Sequence, residues 1–93
     1  MLRVKTNQTI DTLTFKLEGR LVGERAEQVR TLVTRSNTES RLVADITELM
    51  FVDAVGEQVL SFLKRLGAQF VAETAYSLDI CERLHLPLVS EQS

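Results

Sequence analysis

The sequence predicts a single α/β domain. Its mixed sheet starts with an N-terminal antiparallel hairpin, continues through parallel β-α crossovers, and carries its helices mainly on one face. Three observations lead there. From Thr12 to Glu18 apolar and polar residues alternate, with Leu13, Phe15 and Leu17 on one side and Thr14, Lys16 and Glu18 on the other. That is the period of a strand with one packed and one wet face. Two later stretches, beginning near Glu24 and at Asp53, switch to the helical period. Short apolar segments separate them, and strands alternating with helices at this spacing pair in parallel through right-handed crossovers.

Taken in order, Leu2 and Val4 alternate with Arg3 and Lys5, and TNQTID supplies turn chemistry before the next strand. Too few residues join these two strands for a crossover, so they are expected to form an antiparallel hairpin. Gly19 is expected to end the second strand. Val22, Ala26, Val29, Leu32 and Val33 fall on one helical stripe, with Glu24 and Glu27 in the first turn and Arg35 in the last, as the helix dipole favours. SNTES breaks that pattern. Leu42, Val43 and Ala44 then form a buried strand that runs to Asp45, followed by a hydrophobic loop of Leu49, Met50, Phe51 and Val52.

Asp53 is placed to cap the next helix by accepting the backbone N–H of Val55 or Gly56. This helix presents Val55, Val59, Leu60, Leu63 and Leu66 inward, and Gly67 closes it in a left-handed cap. Gln69 to Ala72 reads as a short strand. Ser77 is the expected cap of a last helix carrying Leu78, Cys81 and Leu84, which Pro87 stops. The expected core comprises Leu13, Phe15, Leu17, Val29, Leu42, Ala44, Val59, Leu63, Leu66, Phe70 and Leu84. Thr14, Lys16 and Glu18 would not sit comfortably under a second helical layer, which is why the helices are assigned to one face.

At 93 residues the chain has room for one core and not for two. A net charge of -2 leaves no basic face of the kind that neutralises nucleic-acid phosphates. No apolar run approaches the roughly 20 residues of a membrane span, so no direct membrane insertion is expected. The N-terminal MLRVKTNQTID has no signal-peptide core, and the one cysteine, Cys81, fits a reducing compartment. A cytoplasmic location is the expectation.

The most informative segment runs from Arg41 to Gly67. Its centre, DITELMFVDAVG, places an Asp-x-x-Gly helix start after an apolar strand and loop. This order resembles the STAS domain of bacterial anti-sigma-factor antagonists. A weaker stretch, GRLVGERAEQV from Gly19 to Val29, looks like that family's opening of the first helix, with Val22 where an Asp is common. Near the end, ERLHL puts His85 where the family often has Gly. The resemblance spans about Leu13 to Leu86 and implies a STAS-like fold.

It also implies a protein partner rather than a cofactor. In the family the residue after the Asp is typically a Ser or Thr that a partner kinase phosphorylates; here it is Ala54, followed by Val55 where a second Ser or Thr is common. A helix N-terminus tolerates a phosphate at low structural cost, and about two added negative charges reverse the sign of a docking surface. Alanine takes no part in such a switch and should act as a permanently unphosphorylated form. By resemblance the partner-binding residues are Leu21, Val22, Gly23, Phe51, Asp53, Ala54, Val55, Gly56 and Glu57. The resemblance implies a GHKL-type anti-sigma kinase as partner. A second possibility is the ATPase subunit of an ABC-type lipid transport system, on which a STAS subunit docks and which needs no switch.

Alternative chemistry is poorly supplied. Asp53 is explained by one capping hydrogen bond worth ~1 kcal/mol. Asp45 and Asp53 flank one loop, yet a receiver-like pocket needs a further acidic pair where this chain has Gly19 and Arg20. Cys81 and His85 stand four apart, and two ligands do not make a zinc site. Cys81 reads as a small core residue and His85 as a helix-end residue. No Ser-His-acid or Cys-His pairing with an orienting group is present, so the chain is not expected to be an enzyme. Leu49 and Phe51 are expected to roof the core, while the rest of that apolar loop, with Leu21 and Val22, has two readings: core cover or partner surface.

Overall fold

A computed structural model describes residues 1–36 and 39–89. The elements are β1 (Leu2–Gln8), β2 (Thr12–Leu21), α1 (Gly23–Ser36), β3 (Arg41–Val52), α2 (Ala54–Arg65), β4 (Gln69–Val71) and α3 (Ala75–Leu84). The sheet order is β1-β2-β3-β4, with β1 antiparallel to β2 and the remaining pairs parallel. This is the mixed sheet with an initial hairpin that the patterning predicts. Of the expected break SNTES, Ser36 still belongs to α1, and Asn37 and Thr38 lie outside the described residues.

Leu13, Phe15 and Leu17 point from β2 into one buried cluster with Ala26 and Val29 of α1, Val59, Leu60 and Leu63 of α2, Phe70, and Ile80 and Cys81 of α3. All three helices therefore share a core with the same face of β2. On the opposite face Glu18 lies 3.9 Å from Arg3, 3.7 Å from Lys5 and 3.7 Å from Lys16, so charged side chains cover the sheet where no helix does.

Several expectations are corrected. Gly19 does not end β2: the strand continues to Leu21 through a register shift against β3, and Gly19 sits at the irregularity with φ +102°. The segment Leu49–Val52 is not a loop but the last third of a twelve-residue β3. Apolar residues in it do not alternate, because the shifts at Lys16/Glu18 and Gly19/Arg20 disturb the pleat. Leu66 is 50% exposed rather than buried, because it is the C-cap of α2 and the chain turns there. Leu42 and Leu84 are only half-buried, at the rim of the core. Leu32 and Leu78 are exposed, and Ile80, not Leu78, fills the α3 position against the sheet.

The helix ends follow from local hydrogen bonding. The Ala68 N–H donates to Leu63 O at 3.1 Å and the Gly67 N–H to Lys64 O at 2.9 Å, the paired bonds of a Schellman closure. At α3 the cap is Thr74, not Ser77. Thr74 Oγ1 accepts from the Ser77 N–H at 3.0 Å, and Ser77 Oγ accepts from the Thr74 N–H at 3.1 Å. Ser77 thus occupies the third helical position of a capping box. The helix stops at His85, two residues before Pro87, because His85 adopts φ 57° and ψ 44°. A glycine is the ordinary occupant of such a left-handed position, and here a histidine holds it.

Candidate functional site

The site is built where β2 and β3 end and α1 and α2 begin. Asp53 adopts an extended backbone (φ -93°, ψ -172°) and its Oδ1 accepts the Gly56 N–H at 2.8 Å, the cap expected from the motif. Its Oδ2 accepts the Gly23 N–H at 3.1 Å, the first residue of α1. One carboxylate therefore caps two helices. Val22 has no side-chain acceptor of its own, and its carbonyl already takes the Arg25 and Ala26 N–H groups at 3.1 and 3.2 Å. The first N–H of α1 is thereby capped from across the site, by Asp53.

The backbone locks the same junction. The Asp53 N–H donates to Leu21 O at 3.3 Å. Gly56 faces that carbonyl so closely that an added Cβ would overlap Leu21 O and crowd Val52 Cγ1. This close approach is why the motif needs glycine there. Gly56→Ala should cost about 1–3 kcal/mol, since a backbone carbonyl has little room to yield. Thermal unfolding should show a fall of roughly 5–20 °C for a domain of this size. An unchanged midpoint would mean that the β2 end moves freely.

Around this junction the expected residues divide. Ala54 is exposed at the first position of α2, Phe51 is exposed, and Val22, Gly23, Asp53, Val55 and Glu57 are half-buried. Gly56 is buried as part of the packing. Leu21 is fully buried, so it contributes its carbonyl to the site and not an apolar side chain to the surface. In β3, Leu49 and Val52 roof the core as expected of Leu49, but Phe51 does not: it is 46% exposed and Met50 is 75% exposed. The Arg20 guanidinium lies 5.5 Å from the Phe51 ring centroid, within cation–π range. With Met1 and Gly19 these residues line an open depression of ≈ 390 Å³.

Sequence reasoning missed three side chains at this end. Arg20 lies beyond the strand end expected at Gly19 and gains meaning only as a β2 residue beside Phe51. The Tyr76 hydroxyl accepts the Val52 N–H at 2.9 Å, tying α3 to the last residue of β3. Arg83 donates to Glu57 Oε2 at 3.1 Å and to Asp79 Oδ2 at 3.2 Å. Those hydrogen bonds, first Asp79 and then Glu57, raise the guanidinium pKa further. The Asp79–Arg83 spacing of four was visible in the sequence; its link to Glu57 was not.

Among the described residues no group of three or more His, Cys, Asp and Glu side chains could hold a metal ion. Burial raises the Cys81 thiol pKa by desolvation, so it stays protonated and unreactive near neutral pH. No helix among the described residues is long and apolar enough to cross a membrane.

Comparison with known proteins gives no matching family model. No curated protein matches at the sequence level. Solved structures do match. The unphosphorylated form of the anti-sigma factor antagonist SpoIIAA superposes with a TM-score of 0.71 at 15% identity, covering 98% of this chain and 90% of that one. An uncharacterized protein of the DUF3478 family from Shewanella loihica, described as having a SpoIIAA-like fold, superposes with a TM-score of 0.60 at 17% identity, covering 94% and 80%. Identity this low speaks for architecture alone, and on architecture the two agree with the motif: the chain has the SpoIIAA-like fold that its resemblance to STAS domains implied.

Proposed function

We propose that this chain is a non-catalytic protein-interaction module that docks a regulatory partner through the start of α2, without the usual Ser/Thr phosphoswitch. The carrying observation is Ala54: it is exposed at the first turn of α2, at the position where the STAS resemblance puts a phosphoacceptor. The capped helix start is rigid, since Asp53 and Gly56 hold it against β2, and a rigid surface loses little entropy on docking. The Asp53 carboxylate accepts one backbone N–H on each oxygen, and this capping role accounts for its presence.

The first reading is an anti-sigma-factor antagonist-like protein whose partner is a GHKL-type anti-sigma kinase in the cytoplasm. The second is a STAS subunit that docks on the ATPase of an ABC-type lipid transport system. One observation favours it: a transport scaffold needs no switch, and Ala54 offers none. Calorimetric titration against a purified kinase of the first kind and a purified ATPase subunit of the second separates them. Binding to neither would withdraw both.

Under either reading, kinase and ATP should leave the Asp53–Gly56 segment unmodified. Two hydroxyls elsewhere lie off the expected docking position. The Thr47 hydroxyl oxygen is buried in β3, and Ser61 is half-buried beside Arg30, Arg65 and Leu84. Phosphopeptide mapping should find neither modified. Stoichiometric phosphate on Thr47 or Ser61 would show that the switch had moved instead of vanishing.

A further inference from the structure

We propose that the outer edge of β1, with the groove between β1 and α1, binds an extended acidic peptide segment of a partner as an additional strand. The two edges of the sheet differ. Beyond β4 the chain itself supplies cover: the Phe70 N–H donates to Pro87 O at 2.8 Å and the Val89 N–H to Phe70 O at 2.9 Å. Along β1, among the described residues, no strand or bridge pairs with the outer side. This leaves a seven-residue edge, about 23 Å of backbone at the usual rise per residue.

Beside that edge runs a groove of ≈ 250 Å³ lined by Leu2, Val4, Arg25, Gln28, Val29 and Leu32. Leu2 and Val4 are half-buried and Leu32 is exposed, so apolar surface is open to a visitor. A strand added to β1 would alternate: one set of side chains over Leu2, Val4 and Leu32, the other beside Arg3 and Lys5 on the helix-free face. Main-chain hydrogen bonds would supply affinity, and the alternate pockets specificity.

Charge decides the class of partner. Arg3 and Lys5 have side chains 69% and 55% exposed, and they share the single carboxylate of Glu18 with Lys16. Arg25 adds a further cation at the groove. The edge is thus positively charged in surplus, although the chain as a whole carries -2. A second copy of β1 would set Arg3 and Lys5 against their own kind, which is destabilising between directly opposed residues. Acidic side chains at alternate positions, with apolar ones between, match both faces.

The test uses the full ¹⁵N-labelled chain and a capped octapeptide alternating glutamate with leucine. Amide signals of Leu2–Gln8 and of Gln28–Leu32 should shift. The same peptide with lysine for glutamate should bind at least about tenfold more weakly, given two reversed cross-strand charge contacts. Peptides N-methylated at alternate residues, made in both phases, should lose binding in the phase that faces β1. The double variant Arg3→Glu with Lys5→Glu should reverse the preference, and Ala54→Asp should leave it unchanged. The proposal is overturned if the β1 amides do not shift, or if acidic and basic peptides bind alike. It is equally overturned if both N-methylated peptides still bind, if Ala54→Asp removes binding, or if the free protein dimerises through β1.

Discussion

Ala54→Asp is expected to lower partner affinity by roughly 30- to 5000-fold while leaving the domain folded. The position is exposed, so the free protein keeps the new carboxylate hydrated. An acidic side chain in the first turn of a helix is compatible with the dipole. The adjacent Asp53 carboxylate is hydrogen-bonded to two backbone N–H groups and Glu57 to Arg83 at 3.1 Å, which limits the repulsion the new charge meets. In a docked complex the same carboxylate would lose its water without gaining a partner, at a cost on the order of 2–5 kcal/mol. That cost sets the stated range in affinity. Circular dichroism would verify the fold, and calorimetry with the kinase or ATPase partner would read the loss. Unchanged affinity would move the docking surface away from Asp53–Glu57.

Leu63→Ala should destabilise the domain by about 2–5 kcal/mol, whereas Leu66→Ala should stay within about 0.5 kcal/mol of wild type. Both leucines fall on the apolar stripe of the same helix. Leu63 is 1% exposed and packed in the central cluster, so truncation leaves a cavity that the surrounding side chains cannot fill. Leu66 is the C-cap of α2, where a lost side chain is replaced by solvent. A domain of this length has a total stability of roughly 5–14 kcal/mol, so the first change alone removes a large share. Urea titration should show a lowered midpoint at constant slope for Leu63→Ala. Equal losses at the two positions would mean that the end of α2 is packed and not exposed.

Arg83 illustrates how tertiary contact extends a local signal. Its pairing with Asp79 is a helix-surface interaction of the usual modest kind. Folding brings Glu57 to the same guanidinium and so joins the end of α3 to the start of α2. Tyr76 does the same for the end of β3, where an otherwise open N–H finds its acceptor.

The sequence by itself determined the elements whose cause is local. Period-two alternation in β2, the helical stripes of α1 and α2, and the hairpin at the start all follow from neighbours within a few residues. So does the Asp53 cap, because its acceptor and donor stand three positions apart. The proposed site residues rest on the Asp-x-x-Gly order and its resemblance to STAS domains. Tertiary structure decided what depends on residues distant in the chain. The continuation of β2 past Gly19 and the full length of β3 require each strand's partner to be in place. The exposure of Phe51, the burial of Leu21 and the second bond of Asp53 to Gly23 arise because β2, β3 and both helix starts converge. The need for glycine at position 56 has the same origin: it answers a carbonyl 35 residues earlier, which no local pattern records.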